Sequence, residues 1–502
     1  MSLKRNLVAN YLGQAWRVLM GFAFLPLYIK YLGMEAYGLI GIFAILQAWL
    51  ALLDMGMRPA LGRELARFTA GAHDAHSIRD LLRTVEIFGI ATAATVAIAI
   101  WLTSEWLAEN WVIAKSLPLP VVAQAFAVMG FVTALRLIEN IYVTSIASLQ
   151  QQVLENAVTG IMATARGLGA VGILAWVSAT LEAFFLWQAL VSVMTTAILA
   201  ALVYRALPGI PHPARFSWLS LRGIWRFTAG MMAINLLALL STQLDKILLS
   251  RMLDLEAFGY YVFAATVVGA LPMLAAPITN AYFPRFAELA ARANESALSE
   301  AYHQAAQLVT VLIGVAATAL VLFGDRLLWL WTTDGALVLH VAPLLAVLAI
   351  GTLLNALIWV PYQMQLAHGW TLPTIRINTV AVLILVPALF WLVPTYGAMG
   401  AAWIWVVLNA GGLLCHAYVI RGRLMPAETW KWCRHDLVFP LVAAFASGWL
   451  CYWAMPNGLG RLAELGAVLV SCSLMMIATA LAAPRIRSRI WRHAWRANER
   501  TA

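Results

Sequence analysis

Asn10, Gln14, Arg17 and Gly21 follow one another at steps of four, three and four, so a helix carries all four on one face. A second arginine, Arg166, stands beside Gly167 and Gly169, with Thr159 two turns earlier on roughly the same face. Guanidinium groups donate in pairs to phosphate and carboxylate oxygens, so Arg17 and Arg166 together make a cationic patch suited to a pyrophosphate or an acidic sugar. A third set, Asn235, Thr242, Asp245 and Lys246, lies along another apolar run. Asn10, Gln14, Asn235, Thr242 and Lys246 are the further side chains that can hydrogen-bond such a ligand. A carboxylate such as Asp245 can take up a proton or sodium ion and so change its pairing with nearby cations. The competing reading of Asp245 is a fixed interhelical salt bridge. Adjacent helical residues do not face one another, so Asp245 and Lys246 are expected to pair with other groups. Asp54, just before Gly56 and Arg58, reads as a structural cap or gate pair.

The elements that must position these residues are apolar helices. Of 502 residues, 63% are hydrophobic and only 11% are charged, and the mean hydropathy is +0.81. Soluble domains carry about 25% charged residues, so the chain reads as an all-α polytopic membrane protein. Each span needs roughly 20 apolar residues. Fourteen candidate spans follow, at about 8–29, 38–56, 84–104, 118–138, 157–178, 182–204, 227–250, 258–280, 304–324, 338–362, 376–394, 398–420, 436–455 and 463–483. Arg17 then lies about nine residues, or roughly 14 Å, inside the first span. A charge at that depth faces a cavity or a partner, or snorkels to the headgroups. Pro26 in the first span, Pro272 and Pro277 in the eighth and Pro361 in the tenth can kink their helices. Arg136 and Glu139, at the end of the fourth span, read as a surface pair.

The net charge of +10 is distributed as an orientation signal rather than a nucleic-acid surface. Alternate connections hold Lys4 and Arg5, the run Arg58 to Arg83, Arg205 to Arg226, Arg285 and Arg292, Arg376, Arg421 to Arg434, and the tail from Arg485 to Arg500. The other connections hold only Lys30, Lys115, Arg251, Arg326 and Arg461. By the positive-inside rule both termini are cytoplasmic. The segment from Arg58 to Arg83 reads as an amphipathic helix lying on anionic headgroups, with Leu61, Leu65, Phe68 and Ala72 away from its basic side. The outer connections are too short for a folded catalytic domain. The nine histidines show no metal or triad spacing, and the four cysteines read as packing residues. The chain is therefore expected not to be an enzyme and to need no cofactor beyond a coupling proton or sodium ion.

Residues Lys30 to Ala44, KYLGMEAYGLIGIFA, repeat as Arg251 to Ala265, RMLDLEAFGYYVFAA. The copies begin six spans apart, and six is even, so both have the same orientation. That spacing predicts two pseudo-symmetric six-helix bundles, 1–205 and 227–422, joined by a linker at 206–226. Two additional helices at 434–483 and a basic tail at 484–502 follow. A parallel repeat of this kind is a transporter plan, because one half can rock against the other.

The motifs PLYIKYLGMEAYG (Pro26 to Gly38), LLDMGMRPALGRELAR (Leu52 to Arg67), TQLDKILLSRMLDLEAFGYYVFA (Thr242 to Ala264), QLAHGWTLPTIRIN (Gln365 to Asn378) and YGAMGAAWIWVVLN (Tyr396 to Asn409) cover most of the chain. With them the sequence resembles the polysaccharide transporter family of the multidrug, oligosaccharidyl-lipid and polysaccharide exporter superfamily. The resemblance implies a MATE-like fold and a flippase of the bacterial inner membrane. Its substrate would be an isoprenoid-pyrophosphate-linked oligosaccharide, and its partners membrane lipids and the polysaccharide polymerase or export machinery. The first span lacks the acidic residue that a multidrug antiporter would prefer, which shifts the expectation from cationic drugs to anionic lipid-linked sugars. A drug exporter or a lipid-linked peptidoglycan precursor flippase of the same superfamily is the alternative.

Overall fold

In hydrocarbon a backbone N–H or C=O finds no water, so the chain must satisfy its own polar groups, and helices do so within one segment. The computed structural model describes residues 3–53, 57–69, 71, 74–209, 213–218, 236, 239–240, 242–424, 428–456 and 458–489. Among these residues there is no β-strand, only an isolated bridge between Ile113 and Asp254. Eleven of the described helical stretches are long and apolar enough to cross a membrane. The expected span at 38–56 contributes only a shorter apolar helix, Met34–Trp49. Half of the expected span at 227–250 lies outside the described residues. The spans at 376–394 and 398–420 run on as one helical stretch, interrupted at Gly397.

The chain divides into two compact units, Met1–Gly259 and Tyr260–Ala502. The first holds α1 (Leu3–Ala23), α2 (Leu25–Leu32), α3 (Met34–Leu53), α4 (Met57–Thr69), α5 (Ala75–Asn110), α6 (Leu119–Ser148), α7 (Gln152–Trp176), α8 (Leu181–Ala206), α9 (242–252) and the start of α10 (Leu255–Val268). Pro26 cannot donate a backbone hydrogen bond, and the first span breaks at Phe24 between α1 and α2, where the sequence places a kink. Phe184 and Phe185 of α8 pack edge-on against Tyr28 of α2 and Phe43 of α3.

The segment from Arg58 to Arg83 is not one membrane-surface helix. It forms α4 and the first turns of α5, and Leu61 and Leu65 are fully buried among Ile78, Leu82, Ile146 and Leu199. The apolar stripe is covered by protein rather than by lipid. Ala72 lies outside the described residues. Glu86, buried at this end of α5, accepts hydrogen bonds from the hydroxyls of Tyr142 (2.9 Å) and Tyr204 (2.8 Å) and pairs with Arg83 at 3.2 Å.

The second unit holds α11 (Leu271–Ala291), α12 (Glu295–Thr332), α13 (Gly335–Ala367), α14 (Leu372–Val419), α15 (Thr429–Ala454) and α16 (Arg461–Ala482). A straight helix of α14's length would overrun a bilayer, but Gly397 adopts φ 58°, ψ −143°, open to glycine and strained for other residues. A side chain on Gly400 would sit 2.8 Å from the carbonyl oxygen of Leu392, whereas residues eight apart in a straight helix are about 12 Å apart. The chain therefore doubles back at Gly397. The last two helices dock on α12 through Val315, Ala319, Phe323, Ala444, Val468 and Met475, with Cys451 and Cys472 packed against this cluster.

The internal repeat meets itself in space. A side chain on Gly38 would overlap the carbonyl of Leu255, and one on Gly259 would lie 2.7 Å from the carbonyl oxygen of Met34. Leu255 and Met34 occupy the same position of the two copies, so the contact is reciprocal, like that of a two-fold axis. The α5–α6 connection bridges both copies. Its Ser116 donates to Glu35 through backbone and hydroxyl, its Ile113 carbonyl accepts the Leu255 amide at 3.0 Å, and its Lys115 pairs with Asp254 at 2.6 Å. Partial burial would raise the Asp254 carboxyl, but hydrogen bonds from Lys115 and the Ala257 amide outweigh it and hold the acid below its ordinary range. The same hydrogen bond and charge raise Lys115. This bridge therefore contributes across neutral pH; its contribution is lost as pH falls through the lowered Asp254 value or rises through the raised Lys115 value.

Overpacking a close approach costs about 1–3 kcal/mol. Gly38→Val and Gly259→Val should each lower thermal stability by that order, and the double variant by less than the sum, because both part the same two helices. Gly21→Ala, with nothing within 4 Å of the added carbon, should be neutral or slightly stabilising in the same melting series.

Candidate functional site

The polar stripe of α1 has a counterpart on α7. Gln152, Glu155, Asn156 and Thr159 recur at helical spacing and face it, and Gly13 lets the two backbones come together, since a side chain there would overlap the Asn156 amide. Asn10 donates to Gln152 Oε1 at 3.2 Å and accepts from Asn156 Nδ2 at 2.7 Å. Trp16 Nε1 donates to Thr164 at 2.9 Å. Arg17 donates from Nη1 to Asn156 Oδ1 at 3.0 Å and Thr159 Oγ1 at 2.8 Å, with Glu155 Oε1 3.8 Å from the same nitrogen. Among the described residues, its hydrogen bonds and ion pair all fall on Nη1. The Nε and Nη2 edge, a fork able to grip two oxygens, remains available, and the side chain is 38% exposed. Gln14, on the same stripe, is exposed.

Seven residues further along α7, Arg166 belongs to a second cluster. Its Nη2 meets Glu139 Oε2 of α6 at 3.3 Å and Ser192 Oγ of α8 at 3.2 Å, and its buried Nε has no hydrogen-bond partner among the described residues. Arg136 of α6 donates to Gln188 Oε1 at 3.2 Å and lies over the Phe43 ring at 5.2 Å; its buried Nε likewise has no hydrogen-bond partner among the described residues. Arg136 and Glu139 are thus not a surface pair. They sit three residues apart inside the α6–α7–α8 packing, each turned to another helix. Arg17 and Arg166 stand about 10 Å apart along α7, from Thr159 to Arg166 by helical rise. Each is matched by its own carboxylate, so the two form neighbouring sites rather than one bare cationic patch.

In the remaining set, Lys246 Nζ lies 3.6 Å from Asp245 Oδ1 and donates to the Thr242 carbonyl at 3.0 Å. The expectation that Asp245 and Lys246 pair only with other groups is wrong: the long lysine side chain folds back across one turn and reaches its neighbour. Thr242 itself is exposed. Asn235 and Asp54 lie outside the described residues. No group of three or more His, Cys, Asp or Glu able to hold a metal ion occurs among the described residues.

Residues 3–290 match the profile of the family described as "Polysaccharide biosynthesis protein". This chain belongs to that polysaccharide biosynthesis protein family. It is 22% identical over 427 residues to a Shigella flexneri protein named as an O-antigen transporter, across 82% of this chain and 96% of the relative. The lipid II flippase MurJ in an inward closed conformation has the same fold, with a TM-score of 0.70 at 10% identity, covering 95% of this chain and 98% of that one. An inward-facing multidrug transporter of the MATE family aligns at 0.61 with 15% identity, over 83% and 96% of the two chains.

Both arginine clusters of this polysaccharide biosynthesis protein lie inside the matched residues. Breaking one partner of a buried ion pair costs about 3–5 kcal/mol. Glu139→Ala should therefore lower the melting temperature and membrane abundance markedly, whereas Glu139→Gln, which keeps an oxygen acceptor for Arg166, should retain most of both.

Proposed function

We propose that the protein is a flippase that moves an isoprenoid-pyrophosphate-linked oligosaccharide, an O-antigen or exopolysaccharide repeat unit, from the cytoplasmic to the outer face of a bacterial inner membrane. The observation that carries the reading is the unused fork of Arg17. A guanidinium in an apolar span is costly, at least about 2.5–3.5 kcal/mol, and one held by a single nitrogen leaves its two-oxygen edge for an anion. Arg166 on α7 and Arg136 on α6, whose buried Nε donors have no partner among the described residues, add positive charge about two turns further along α7. A pyrophosphate headgroup suits Arg17, and sugar hydroxyls suit Asn10, Gln14, Thr242 and Lys246, while the isoprenoid tail stays in lipid.

Transport proceeds by alternating access of the two six-helix repeats, 1–205 and 227–422, with both termini cytoplasmic. Opening to the outside then requires α3 and α10 to part at the glycine contact, and Pro26 supplies a break about which α2 can turn. The partners are membrane lipids and the polymerase or export machinery that receives the flipped unit. The fold of the lipid II flippase favours, as second reading, a lipid-linked peptidoglycan precursor. Both substrates carry pyrophosphate, and the lipid species that accumulates on depletion separates them. A cationic drug fits less well, because the single carboxylate near Arg17, Glu155, is already matched to it.

Arg17→Gln and Arg166→Gln should each leave the protein in the membrane and abolish flipping, read as failure to restore surface polysaccharide and as lipid-linked oligosaccharide trapped on the cytoplasmic face. Full transport in both variants would remove the reading. Asp245, paired with Lys246, is the candidate for cation coupling. Asp245→Asn should make transport independent of proton and sodium gradients; lowered expression with unchanged gradient dependence would instead mark a structural bridge.

A further inference from the structure

At the end of α12, remote in sequence from the arginines, His303 is 2% exposed and lies between two acids. Its Nδ1 meets Asp436 Oδ2, and its Nε2 lies 3.1 Å from Glu428 Oε2. Asp436, in the π-helical turn that opens α15, is 1% exposed. The other oxygen of each acid is engaged by a donor. Gln307 Nε2 donates to Asp436 Oδ1 at 2.7 Å, its amide oriented by the Arg485 backbone N–H donating to its Oε1 at 2.9 Å. Lys431 Nζ lies 3.0 Å from Glu428 Oε1.

Carboxylate oxygens only accept, and a neutral imidazole has one N–H. Two ring nitrogens facing two carboxylates therefore need two protons. Glu428 accepts from Lys431 through its other oxygen and faces the ring as an acceptor, so Nε2–H donates there. A further proton must then lie between Nδ1 and Asp436, either on the ring or on the acid. Without it two lone pairs would oppose each other in a site closed to water. The charged and titratable groups around it are Tyr302 and Glu300 on α12, Lys431 and His435 on α15, and Arg485 after α16. The groups joined are α12, α15 and the end of α16.

We propose that His303, Asp436 and Glu428 form a buried proton-binding site whose single shared proton fastens the C-terminal helix pair to α12. The pair is anchored independently at its far end, where Arg326 meets Glu464 at 3.4 Å and Arg461 donates to the Leu330 carbonyl at 2.6 Å. Losing the proton therefore loosens the His303 end first.

The test is hydrogen–deuterium exchange of the full-length protein in lipid nanodiscs from pH 6 to pH 9, corrected for intrinsic exchange, with α6 as reference. Exchange in 429–438 is expected to rise at least tenfold toward pH 9 while α6 stays flat. In Asp436→Asn, whose amide can donate to Nδ1 without an extra proton, it should stay low at every pH. Corrected exchange in the wild-type segment that does not change with pH overturns the proposal, and the wild-type series decides the matter if the variant does not fold. A pH-dependent rise of equal size in Asp436→Asn overturns it as well, since the response would then lie elsewhere.

Discussion

A charge taken into hydrocarbon must be met by the protein, by a ligand or by water, because lipid cannot solvate it. The arrangement of unit one follows from that constraint. Arg17 is met by the polar ladder of α7, Arg166 by Glu139 and Ser192, and Arg136 by Gln188 and the face of Phe43. The pairing is incomplete in one direction only: donors remain, while the nearby carboxylates are engaged. Under the proposed function, a site with donors to spare and, among the described residues, its acids already engaged favours an anion.

The hydrophobic effect does not hold such helices together, since lipid is as apolar as the side chains. Close packing and interhelical hydrogen bonds do. Gly13 brings α1 onto α7 closely enough for Asn10 and Asn156 to bond, and Gly38 with Gly259 brings the two copies of the repeat into reciprocal contact. The same glycines that allow close approach leave no side chain to interlock, so the contact can part without dragging a knob out of a hole. Stability and movement thus share one feature. At the opposite extreme, α12 is buried along most of its length and ties α15 and α16 to it by packing and by polar contacts at both ends.

The all-helical content and eleven apolar stretches are legible in the sequence because apolar length is a property of contiguous residues. The stripe of Asn10, Gln14 and Arg17 was legible for the same reason. Its partners were not. Gln152, Glu155 and Asn156 precede the apolar run at 157–178, so a hydropathy reading assigns them to a loop, whereas α7 begins at Gln152. Reading the 152, 155, 156 and 159 spacing as a second stripe would have found them. Glu139 looked like a surface partner of Arg136 because both end an apolar run; which helices flank that turn is a tertiary fact. The pairing of Lys246 with Asp245 depends on a flexible side chain bending back, which helical spacing does not encode. The apolar side of α4 has the same appearance whether lipid or protein covers it.

On the reading proposed above, these features make an anion site in the first unit of this polysaccharide biosynthesis family protein. The most direct measurement is transbilayer movement itself. Purified protein is reconstituted in liposomes loaded with isoprenoid-pyrophosphate-linked oligosaccharide, and the fraction reached by an external, membrane-impermeant sugar-cleaving enzyme is followed in time. The account requires that the protein carry the inner-leaflet lipid to the enzyme far faster than protein-free liposomes do, and that free inorganic pyrophosphate slow it by competing for the Arg17 fork. A rate equal to that of empty liposomes under every imposed proton or sodium gradient would contradict it.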